Sequence, residues 1–70
     1  MNYYKLIIRD DNGIHIKYAR DRRDEEEIVK EAKTYITSHF SSYISYELLP
    51  VSQYEYNKAP FLQKKGDFRR

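Results

Sequence analysis

Two histidines, His15 and His39, are the residues of this 70-residue chain best suited to acid–base or metal chemistry. A general base or a metal site needs further partners close by. His39 ends a helical pattern, where an imidazole commonly caps the last carbonyl groups. Serines stand near it at positions 38, 41 and 42, but no glycine-framed nucleophile turn accompanies them. We therefore expect no catalytic residue, metal, cofactor or enzymatic activity.

The stretch Asp10-Asp11-Asn12-Gly13 begins like a calcium-binding loop. Such a loop needs a bidentate Glu at its end and flanking helices, and neither is present. A hairpin turn fits better, with Gly13 at positive φ after a type I turn. We predict a three-residue loop, because it places Ile8 opposite Ile16 on one apolar face.

Alternating apolar residues predict strands over residues 3–9, 14–20 and 43–49. The expected core faces of these strands hold, in order, Tyr4, Leu6 and Ile8; Ile14, Ile16 and Tyr18; and Ile44, Tyr46 and Leu48. Between the second and third strands, a helical pattern runs from an N-cap at Asp24, with Glu27 completing a capping box, to about His39. The expected fold is therefore α+β: a ββαβ domain whose three-stranded antiparallel sheet has order 2-1-3 and carries one helix on one face. We place this domain in residues 1–57, where Val51 to Tyr56 is a short strand or a flap.

Charge is unevenly distributed along the chain. Residues 1–57 hold 8 basic and 10 acidic residues, whereas residues 58–70 hold 5 basic residues and 1 acid. The latter are expected to form a flexible basic tail, either solubilising or able to grip phosphates. The charge run from Asp21 to Glu27 is explained by a helix start, with mimicry of a phosphate backbone as the alternative. No apolar run approaches a membrane span, and there is no Cys, so we expect a cytoplasmic protein without a membrane partner.

The sheet face away from the helix is the expected binding surface. Its aromatic and basic residues suit the centre of a protein interface, and they also suit base stacking and phosphate contact. An alternative is that the C-terminal segment 51–62 folds back and covers this face. The predicted partner-binding site has five central residues, which are Tyr3, Lys5, Arg9, Lys17 and Tyr43. Arg22 and Arg23 are expected to flank it.

The composition is Tyr-, Lys- and Glu-rich, Gly-poor and free of Cys. Residue types with AT-rich codons outnumber those with GC-rich codons, which indicates an AT-rich genome. In this character the chain resembles small accessory proteins of phages and mobile elements in low-GC bacteria, although the resemblance covers no specific motif. Many such proteins dock on a host machine and block it, as anti-CRISPR and other anti-defence inhibitors do. The resemblance implies a non-enzymatic inhibitor of a host protein or ribonucleoprotein. A small nucleic-acid-binding regulator is the alternative, and a homodimer that buries the open face is a third.

Overall fold

The computed structural model describes residues 1–40 and 42–64 of the chain. Two long strands, β1 (Asn2–Asp10) and β2 (Gly13–Asp21), form a hairpin that is followed by helix α1 (Glu25–His39) and strand β3 (Ser45–Val51). Two short helices end the described chain, α2 (Gln53–Lys58) and α3 (Phe61–Lys64). Both β2 and β3 pair antiparallel with β1, so the order is β2-β1-β3 and the expected α+β ββαβ architecture is confirmed.

Helix α1 forms where the sequence predicts it. The Asp24 carboxylate accepts a hydrogen bond from the Glu27 amide at 3.1 Å, which satisfies one of the free amides of the first turn. The helix ends at His39, and the amide of Phe40 closes the last turn on the carbonyl oxygen of Ile36. Three acidic residues in the first turn face the positive end of the helix dipole.

One face of the sheet packs against α1, and we call it the helix face. Its core alternates along β1 at Tyr4, Leu6 and Ile8, as predicted, and the apolar side of α1 covers it. Tyr46 and Leu48 of β3 pack against the same core, also as predicted. The core side chains that are buried in this layer are Tyr4, Leu6, Ile8, Ala19, Ile28, Ala32 and Ile36.

The register of the hairpin differs from the prediction by one residue. Asp10 pairs with Gly13, so the loop holds two residues, and Ile8 lies opposite His15 instead of Ile16. The Asp10 carboxylate stabilises this tight loop because it accepts a hydrogen bond from the Asn12 amide at 2.8 Å. Gly13 has the expected positive φ, at 126°, and no other described residue has one.

This register exchanges the two faces of β2, because successive side chains of a strand point to opposite sides. His15, Lys17 and Ala19 lie on the helix face, where they oppose β1 core residues. Ile16 and Tyr18 lie on the other face, which we call the second face. The register prediction assumed that only one face of the sheet is covered, whereas in the structure both faces are covered.

The chain after β3 folds back over the second face, as one of the sequence alternatives proposed. Residues 53–64, which comprise α2 and α3, are called the strap. α2 packs on β1, and α3 packs on β2. The expected strand or flap at Val51 to Tyr56 is therefore wrong beyond Val51, since α2 begins at Gln53. Residues 58–64 of the expected tail are part of the strap, and the last six residues lie outside the described chain.

Candidate functional site

The strap is anchored at one corner of the second face by a cluster of tyrosines. The Tyr56 ring lies 5.1 Å from the Tyr3 ring and 6.4 Å from the Tyr18 ring, measured between centroids. Tyr18 is buried beneath it, although it lies on the side opposite the α1 core. Tyr3 was expected to be an exposed residue of the binding surface, but its ring packs against Tyr56 and is half-buried.

Polar contacts surround this aromatic anchor. The Tyr18 hydroxyl donates to the Glu55 carboxylate at 3.2 Å, and Lys5 Nζ lies 3.7 Å from the same oxygen. Lys64 Nζ sits 5.4 Å from the centre of the Tyr56 ring, within cation–π range. Neither α2 nor α3 contains a fully buried residue, so the strap rests on the sheet without a core of its own.

Large apolar side chains remain exposed around the strap. Eight such side chains are exposed within the described residues, and five of them belong to the second face or the strap. These five are between 39% and 75% exposed. By contrast, every exposed residue of α1 is polar or charged. The five exposed apolar residues on the strap side, meaning the second face together with the strap, are Ile14, Leu49, Tyr54, Phe61 and Leu62.

The structure keeps three of the seven expected partner-binding residues together. Tyr3, Lys5 and Arg9 alternate along β1 on the second face. The first two are half-buried because the strap contacts them, as described above. Arg9 lies beyond the strap, exposed next to Ile14 of β2.

Two further expected residues are not on this surface. Lys17 lies opposite Leu6 on the helix face, because the register is shifted by one residue. Tyr43 precedes β3, and its ring contacts that of Tyr46 at 5.9 Å on the α1 side of the sheet. Their expected places beside Tyr3 are therefore wrong.

The remaining two, Arg22 and Arg23, lie between β2 and α1. Arg22 is exposed, whereas Arg23 makes paired hydrogen bonds with two carboxylates. Its guanidinium reaches Asp21 at 2.8 and 3.0 Å and Glu31 at 2.6 and 2.8 Å. Asp21 and Glu31 raise the pKa of Arg23, through their hydrogen bonds and then their charges. Arg23 therefore ties the end of β2 to α1.

The histidines lie at the opposite end of the sheet, beside the hairpin loop. His15 Nε2 donates to Asp10 at 3.0 Å, and the His15 ring packs edge-on against Phe40. This hydrogen bond, with that from the Asn12 amide, lowers the pKa of the Asp10 carboxyl. His39 caps α1 by donating from Nδ1 to a carbonyl oxygen of the last turn, 3.0 Å away. A cleft of about 440 Å³ separates the two histidines, and the described residues form no group of three metal-ligating side chains.

Sequence reasoning gave the fold-back of residues 51–62 as an alternative, but it missed the two short helices that form the strap. The signal was present, because Ser52 and Glu55 form the Ser-x-x-Glu pattern of a helix start. In the structure the Ser52 hydroxyl accepts from the Glu55 amide at 3.1 Å, and α2 begins there. Ile44 is a second error, since it was expected in the core and is 65% exposed.

Comparison of the chain with protein-family models, curated proteins and solved structures finds no significant match. Among the helices that the structure describes, none has the length and apolar character needed to cross a membrane.

Proposed function

We propose that this chain is a small, non-enzymatic binding protein that docks on a partner protein through its strap side. The observation that carries the proposal is the asymmetry of the surface. Five of the eight exposed large apolar side chains among the described residues lie on the strap side, whereas every exposed residue of α1 is polar or charged. Grouped exposed apolar residues with a polar rim are typical of protein interaction sites, whereas scattered ones are not.

The size and composition of the chain favour a particular form of docking. They resemble those of small phage and mobile-element proteins, so the proposed partner is a host protein or ribonucleoprotein that the chain inhibits, as anti-defence proteins do. This part of the proposal depends on composition alone. The docking surface does not depend on it.

A nucleic-acid-binding regulator is the second candidate, because exposed arginines flank the apolar residues. Two observations weigh against it. Tyr3, the expected stacking platform, is in contact with Tyr56 and is not free to stack on a base. Three of the five exposed apolar side chains on this side, Ile14, Leu49 and Leu62, are aliphatic, and these suit a protein interface better than a phosphate backbone.

Affinity capture from a low-GC bacterial lysate, with and without nuclease, tests the proposal. The test variant Ile14→Glu/Phe61→Glu places two charges among the exposed apolar residues. The matched control Thr34→Glu/Thr37→Glu places the same two charges on the exposed side of α1. We expect the chain to capture a partner protein that remains bound after nuclease treatment. The control variant should still capture this protein, and the test variant should not. Equal retention by both variants, or loss of every protein after nuclease treatment, would contradict docking through the strap side.

A further inference from the structure

The charges of the described residues are divided unevenly between the two sides of the molecule. The strap side carries five cationic and two anionic side chains, a net charge of +3. The remaining described residues carry five cationic and eight anionic side chains, a net charge of −3. The charged residues of the strap side are Lys5, Arg9, Arg20, Lys58, Lys64, Glu47 and Glu55.

Internal pairing leaves the excess positive charge of this side available to a partner. Glu55 already contacts Lys5, so its carboxylate is compensated within the molecule. Arg9 and Arg20 are both exposed, and neither forms an ion pair with the residues that the structure describes. Two cross-strand rows of the second face separate them, one formed by the half-buried Ile7 and Ile16 and the other by Lys5 and Tyr18, which the strap contacts.

From this arrangement we infer that the partner presents an acidic protein surface with apolar side chains among its carboxylates. The inference rests on the proposed function and adds the chemistry of its partner. Opposite charges around an apolar centre raise the association rate and exclude wrong partners. A second copy docked through the same face would bring +3 against +3, so a symmetric dimer is disfavoured. Guanidinium groups pair with carboxylates in a fixed two-point geometry, which suits Arg9 and Arg20 to this role.

Peptide binding to the full chain tests the inference by fluorescence anisotropy. The probes are two synthetic amphipathic peptides of about 16 residues, long enough to form a helix on binding. Both have Leu and Phe on one side, and their polar positions are all Glu in one peptide and all Lys in the other. A polyuridine oligonucleotide of similar length is the third probe. The protein variants are Arg9→Glu/Arg20→Glu and, as a control with the same change in net charge, Lys30→Glu/Lys33→Glu on exposed positions of α1.

We expect the Glu peptide to bind at least about tenfold more tightly than the Lys peptide. The Arg9→Glu/Arg20→Glu variant should abolish this preference, while the Lys30→Glu/Lys33→Glu variant should keep it. Equal binding of the two peptides, no binding of the Glu peptide, or tighter binding of polyuridine would overturn the inference. An equal effect of both variants would also overturn the inference, because it would assign the preference to net charge alone. A homodimer of the chain that Ile14→Glu dissociates would overturn it as well. The capture experiment with Ile14→Glu/Phe61→Glu tests the proposed function separately. Docking through the strap side can therefore be supported even if the inference of an acidic partner is refuted.

Discussion

The attachment of the strap can be measured through two tyrosines of the same short helix. Tyr56 faces the sheet, where it contacts two rings and the Lys64 ammonium, whereas Tyr54 is 68% exposed and its ring lies 4.9 Å from the Lys58 ammonium. Replacing either by Ala changes the intrinsic helix propensity of α2 by the same amount. The difference between the two variants therefore reports the contacts of Tyr56 with the rest of the molecule.

The expected magnitude follows from these contacts. Two aromatic pairs contribute about 0.5–1.5 kcal/mol each, and an exposed cation–π contact contributes about 0.5–1 kcal/mol. Tyr56→Ala should therefore lower the free energy of unfolding by about 1.5–4 kcal/mol, and Tyr54→Ala by about 0.5–1 kcal/mol, which is the cation–π contact alone. A domain of this length has roughly 3.5–10 kcal/mol of stability, and the middle of this range exceeds both losses.

Urea unfolding followed by circular dichroism gives the stability of each variant. A double-mutant cycle of Tyr3→Ala with Tyr56→Ala should give a coupling energy of about 0.5–1.5 kcal/mol, because the two rings are 5.1 Å apart. The same cycle with Tyr54→Ala should give none. Equal destabilisation by the two α2 variants, or a Tyr3–Tyr56 coupling within about 0.3 kcal/mol of zero, would refute the docking of the strap through Tyr56.

Three further perturbations test the elements that hold the sheet and α1 in place. Gly13→Val should lower the free energy of unfolding by about 1–3 kcal/mol, because a β-branched residue resists the φ of 126°. Asn12→Val is the control, since φ is not positive at Asn12, and thermal unfolding should show a smaller loss for it. The lowered pKa of Asp10 stabilises the fold above the pKa of an unfolded Asp, and this contribution is lost as the pH falls through the folded-state pKa. Asp10→Asn should therefore flatten the decline in stability seen by urea unfolding below roughly pH 4. Arg23→Lys should lower the melting temperature clearly more than Arg22→Lys, because an ammonium cannot bridge both carboxylates, and equal shifts would contradict this role.

The parts of the fold that local sequence determines were predictable. Helix α1 begins at its Asp24 cap and ends at His39, because the cap, the acidic first turn and the apolar spacing all indicate the same boundaries. The strand order follows from the lengths of the elements and from the need of each to bury an apolar side. These signals depend on neighbouring residues and need no knowledge of the rest of the chain.

The hairpin register could not be read in the same way. A period-two pattern fixes the register only when one face of a sheet is buried and the other is wetted. Here β2 offers Ile14, Ile16 and Tyr18 to one side and Ala19 to the other, and both sides are covered in part. The sequence pattern favoured the three large apolar residues Ile14, Ile16 and Tyr18 for the core beneath α1, but in the structure these residues lie on the strap side. Small Ala19 fits beneath α1 instead.

This one-residue difference changes the chemistry of the candidate surface. With the predicted register, the second face would show His15 and Lys17 beside Tyr3, which resembles a platform for nucleic acid. With the observed register, Ile14 and Ile16 take their places, and the strap then covers Tyr3. The surface that remains offers three aliphatic side chains, two exposed aromatic ones and two arginines that form no ion pair with the described residues. A partner with carboxylates and apolar side chains matches that combination, so our inference of an acidic protein surface depends on the observed register and could not be made from the sequence pattern alone.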